Sequence, residues 1–87
     1  MLTTMVEEYR NARAISDMWD RAYTEDPENE DIERRWDEAY RDYITAMDKL
    51  VNEITYITAG KINRMTARAM VVNRIDELEE ICRRYER

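Results

Sequence analysis

An all-α fold, an elongated three-helix bundle, is the architecture this sequence predicts, and three observations predict it. One glycine and one proline in 87 residues leave too few turn formers for a β fold. Charged residues at 39% and hydrophobic residues at 44% give the mixture typical of long amphipathic helices. Apolar positions recur at intervals of three and four, the period of one helix face. The length fits one domain, so residues 1–87 read as a single helical domain.

Helix 1 is expected over about 5–24. Thr4-Met5-Val6-Glu7 matches a capping box, in which the Thr hydroxyl and the Glu side chain satisfy free backbone N–H groups. Leu2, Met5, Tyr9, Ala12, Trp19 and Tyr23 then form one stripe, with Ser16 in the gap. Asp26-Pro27 marks the next start. Asp caps well, and proline at the first helical position gives up an N–H that would be free anyway. Glu28, Glu30 and Asp31 follow, where the positive end of the helix dipole favours acids.

Helix 2, over about 27–59, carries the clearest pattern. Trp36, Tyr40, Tyr43, Met47, Leu50, Ile54 and Ile57 alternate by four and three without a miss. Such a stripe belongs to bundle packing. The helix would be roughly 50 Å long at 1.5 Å per residue, longer than a compact globule of this size is wide. Gly60 is placed in a left-handed cap just past it, with a continuous helix through Gly60 as the alternative. Asn63 caps helix 3, expected over about 63–85 and antiparallel to helix 2.

Helix 3 is unusual in having two stripes. Ala67, Val71, Ile75, Leu78, Cys82 and Tyr85 run along its length, while Ile62, Met65, Ala69 and Val72 lie roughly 150° away in its first half. Two apolar faces imply two partners. With Tyr23 beside Asp31, Met5 falls near residue 49, and the Gly60 end projects beyond helix 1. An uncovered apolar patch there marks an interface, with Ile54, Ile57, Ile62, Met65, Ala69 and Val72 as its residues. A protein partner or a second copy is expected to cover it, a dimer being favoured.

Charge sharpens the alternatives. The net charge is −6, but residues 1–60 carry 15 acids against 7 bases, and residues 61–87 carry 5 against 7. In this register Arg83, Arg84 and Arg87 fall near Glu30, Glu33 and Asp37, which leaves Lys61, Arg64 and Arg68 as the cationic patch open to an anion or a partner. Overall acidity disfavours nucleic acid, because binding it depends on neutralising phosphates. A helix-3 nucleic-acid reader is therefore the third reading. The second is an acidic inhibitor that mimics nucleic acid, as some phage-encoded proteins do, through residues 25–38, with Glu28, Glu30, Asp31 and Asp37 on its surface. The leading one is a small interaction module, an adaptor or regulator working through the Gly60 end.

Chemistry finds little foothold. The Ala-Gly-Lys-Ile stretch lacks the upstream glycine of a phosphate loop, and Ile62 stands where Ser or Thr would meet magnesium. There is no histidine and only one cysteine, so neither a zinc site nor a disulfide is expected. Cys82 falls in the apolar stripe, where a buried structural thiol is expected. No catalytic residue, cofactor or metal is expected. The N-terminus has no apolar core of a signal peptide, and the longest apolar run, residues 69–72, is far too short to span a membrane. A cytoplasmic protein is the expectation.

Overall fold

The computed structural model describes the backbone of residues 2–85 and, within it, the side chains of 3–78, 80, 81, 83 and 84. The expectations for the side chains of Leu2, Cys82, Tyr85 and Arg87 lie outside that set. Among the described residues the fold is all-α. Four helices are present rather than three: α1 (Leu2–Glu25), α2 (Glu30–Ile57), α3 (Arg64–Asn73) and α4 (Ile75–Tyr85). The molecule measures 47 × 20 × 18 Å, elongated as the length of α2 requires.

α1 begins at Leu2, so Thr4 lies inside the first turn and does not cap it. The packing of buried Val6 and half-buried Met5 on the core holds this turn, as tertiary contacts hold most short helical segments. α1 then runs antiparallel to α2: Tyr9 meets Tyr43, and further along Tyr23 meets Trp36 rather than Asp31.

The α1–α2 connection corrects the expected start of α2. Asp26 does not cap it. Asn29 does, its side-chain oxygen accepting from the N–H groups of Asp31 at 3.0 Å and Ile32 at 3.3 Å. Asp26 is instead the first residue of a turn closed by Asn29 N–H donating to its carbonyl at 3.2 Å. Pro27 takes the second turn position, which suits its fixed φ. Glu30, Asp31 and Glu33 then occupy the first turn of α2.

α2 stops at Ile57, so no helix continues through Gly60. The stop is a Schellman motif. Gly60 N–H donates to Thr55 C=O at 3.0 Å, and Ala59 N–H to Tyr56 C=O at 3.1 Å. Both Ala59 (φ 53°) and Gly60 (φ 81°) are left-handed. Thr58 is buried beside them. Its hydroxyl donates to Ile54 C=O at 2.7 Å and accepts from Ile62 N–H at 3.2 Å, tying the end of α2 to the approach of α3. Asn63 caps α3 by accepting from Thr66 N–H at 2.8 Å.

The expected third helix breaks at Arg74 (φ −139°, ψ 48°). The break does not bring the second stripe onto the core, since Met65 and Ala69 face solvent. Ala67, Met70 and Val71 of α3 are buried, and so is Leu78 of α4. Two arginines of α1 hold the junction. Arg13 donates to Val72 C=O at 3.1 Å, and Arg10 pairs with Asp76 at 2.8 Å. α4 packs on α3 and α1. The expected pairing of Arg83 and Arg84 with Glu30, Glu33 and Asp37 is therefore not made, and Asp37 instead pairs with Arg41 at 3.1 Å.

The core sits at one end. It gathers Val6 and Tyr9 of α1, Met47, Leu50, Val51 and Ile54 of α2, three residues of α3, and Leu78. Each fully buried aliphatic side chain there contributes about 1.5–3 kcal/mol. None of its members comes from residues 10–46.

Candidate interaction surfaces

The stripe of α2 was uniform in sequence and is not uniform in the structure. Its second half, from Met47 to Ile54, is buried; its first half, Trp36, Tyr40 and Tyr43, is not. α3 and α4 cover only the second half. No hydrogen bond, ion pair or ring contact joins α3 or α4 to any described residue between 14 and 42. Residues 14–42 thus form a two-helix arm outside the core. Only Ser16 and Ala39 are buried in it, both small residues.

The arm is built from aromatic side chains. Tyr23 stacks on Trp36 at 5.2 Å between ring centroids, and Trp36 on Tyr40 at 5.9 Å. Tyr40 meets Tyr43 at 6.2 Å, and Tyr43 meets Tyr9 at 5.7 Å. Five rings therefore run from the arm into the core. Trp19 lies under the Arg35 guanidinium at 5.4 Å, and the Trp36 indole N–H donates to Asp20 at 3.2 Å. Each ring pair adds about 0.5–1.5 kcal/mol beyond area burial, which lets two helices hold register with little core beneath them. The arm still shows apolar surface to solvent: Tyr40 is 46% exposed, Met18 53% and Ile15 49%.

The inner end of this ring series is a closed polar site. Tyr9 is fully buried, and its hydroxyl accepts from Arg13 at 3.4 Å. Burial, then the neighbouring Tyr43 hydroxyl, push the Tyr9 phenol up to about 12, against a smaller opposing pull from Arg13.

The surface expected at the Gly60 end is divided. Ile54 is 1% exposed, a core residue and no part of any surface. Ile57, Ile62 and Val72 are half-buried against the core, whereas Ala69 and Met65 face solvent. Met65 stands out at 84% exposed, as does Tyr56 at 80%. Lys61, Arg64 and Arg68 are exposed and make no ion pair with a described residue. Of the acidic candidates, Glu28 and Glu30 are exposed, Asp31 pairs with Arg34, and Asp37 pairs with Arg41.

Sequence reasoning missed the arm because it assumed a third helix of some 23 residues lying along α2; α3 has 10. A signal for the break was present. Asp76 and Glu77 followed by Arg83 and Arg84 are the end charges of a separate short helix. Among the described residues no cluster of three or more Cys, Asp or Glu side chains could hold a metal ion. No helix is long and apolar enough to cross a membrane. No protein-family model, curated protein or solved structure matches this chain.

Proposed function

We propose that the chain is a protein-interaction module whose recognition surface is the aromatic face of the α1–α2 arm. The observation that carries this reading is the half-covered stripe of α2. Trp36, Tyr40 and Tyr43 continue the spacing of the buried residues Met47, Leu50 and Ile54, yet of these three only Tyr43 reaches the core that α3 and α4 cover. Aromatic residues at the centre of an exposed patch are the usual anchors of protein interfaces, since a ring buries a large area at small entropic cost.

A photo-crosslinking side chain at Tyr40 tests it in cells that naturally produce the protein. The same group at Asn52, exposed on the other half of α2, is the control. A discrete protein adduct at position 40 and none at 52 is expected. Absence of any adduct at 40, with the variant still helical by circular dichroism, overturns the proposal.

A second surface at the Gly60 end is favoured by Met65 and Tyr56, the two most exposed large apolar side chains described. Met65 is flanked by Arg64 and Arg68, which suits an acidic partner. Met65→Asp should abolish binding there.

A further inference from the structure

We infer that the occupant of the arm is α3 of a second copy, the two chains lying antiparallel in a closed two-fold dimer. This rests on the reading of the arm as a recognition surface and adds what it recognises.

The first argument is shape. α3 and α4 thicken one half of the α1–α2 pair and leave the other half bare. Two such stepped bodies placed antiparallel fit each other, each supplying the layer that the other lacks. The long face, 47 by 20 Å, offers roughly 900 Å². A stable interface needs about 800 Å² from each partner.

The second argument is charge. Residues 15–42 hold eleven acids and four bases, whereas residues 54–75 hold Lys61, Arg64, Arg68 and Arg74 with no acid. The near ends of the two regions on α2, Asp42 and Ile54, lie 12 residues apart, about 18 Å along the helix. That is about twice the screening length of about 8 Å at physiological salt, so attraction between the two regions within one molecule is weak. Of the four bases Arg74 pairs with Glu77 at 3.6 Å, and the other three make no ion pair with a described residue. A parallel pair would set like charge on like. An antiparallel pair brings both opposite-charge contacts together at once, and two-fold closure then uses the same patch on each chain.

The third argument is the chemistry of the contact. Met65 projects from between Arg64 and Arg68. Thioether and guanidinium groups both bind favourably to aromatic rings, and Trp36 and Tyr40 are among the partly exposed rings of the arm.

Sedimentation equilibrium on the purified chain tests this. A dimer is expected at about 50 mM salt, with association at least tenfold weaker at about 500 mM. Arg64→Glu with Arg68→Glu should give a monomer. So should Glu28→Lys, Glu30→Lys, Glu33→Lys and Glu38→Lys together, four exposed acids that hold no ion pair with a described residue. Mixing the two variants restores both opposite-charge contacts and should restore the dimer. Circular dichroism confirms that each is folded. A wild type that stays monomeric at about 1 mM overturns the inference. A charge variant that remains dimeric, or a mixture that stays monomeric, does so as well. So does a monomer whose α3 binds duplex nucleic acid and loses it with Arg64→Glu and Arg68→Glu. A Tyr40 adduct with another protein, from a chain monomeric in pure form, removes the second copy but leaves the arm as the recognition surface. The absence of any Tyr40 adduct removes both.

Discussion

The two halves of α2 share one sequence pattern and have different fates. From Met47 to Ile54 the stripe is sealed by α1, α3 and α4. From Trp36 to Tyr43 it is covered by α1 and by its own ring stacking. The composition of each half matches its surroundings. The sealed half uses Met, Leu, Val and Ile, which have no polar atom to satisfy. The open half uses Trp and Tyr, whose polar tips tolerate water. Stability therefore belongs to one end of the molecule, and available surface belongs to the other.

The largest effect expected tests that division directly. Leu50→Ala in the sealed half should cost about 2–5 kcal/mol, the range for a truncated core leucine that leaves a cavity. Ile15→Ala on the arm should stay within about 0.5 kcal/mol, as exposed substitutions do. Urea midpoints of the two variants give the comparison. Equal losses would mean that the arm is as tightly packed as the core, contrary to their exposures of 0% and 49%.

How much of this contrast was legible in the sequence depended on the kind of signal. The helical class, the α2 stripe and the Asn63 cap rest on local periodicity and hydrogen bonding, which act within a few residues. The start of α2 did not resolve, because Asp26 and Asn29 are both good caps three residues apart and the turn decides between them. The break at Arg74 was hidden for another reason. It uses neither Pro nor Gly, and it is held by Arg10 and Arg13, more than 50 residues away in sequence. Once α3 and α4 were read as one long helix, the first half of α2 was read as covered, and the arm was missed.

Tyr9 lies where the two halves meet, and pH should expose it. Its phenol is raised from 10.0 to about 12, mainly by burial, so the fold favours the neutral form. The sign follows from proton linkage. Below pH 10 its contribution is fully present. Between pH 10 and about 12 the unfolded tyrosine loses its proton while the folded one keeps it, and stability falls as pH rises. Tyr9→Phe removes this titration and leaves Arg13 bonded to Val72 C=O. The drop in urea midpoint from pH 9 to pH 11 should therefore be shallower in the variant, by a guide of about 1.4 kcal/mol per pH unit for one fully linked proton. An unchanged drop would place the alkaline weakness in other groups.

The smallest effect concerns the turn that closes the sealed half, and its sign is opposite. In the Schellman motif the left-handed position next to the helix is the one glycine usually takes. Here it is Ala59, at φ 53°, and the chain's single glycine comes one residue later, at φ 81°. An alanine in this region pays about 1–2 kcal/mol for the approach of its Cβ to the backbone. Glycine relieves that strain but brings a more flexible unfolded chain, an opposing effect of about 0.4–1 kcal/mol. Ala59→Gly should therefore raise stability by up to about 1 kcal/mol. Gly60→Ala should lower it through backbone strain alone, since a Cβ at Gly60 meets nothing within 4 Å. Paired melting curves give both signs.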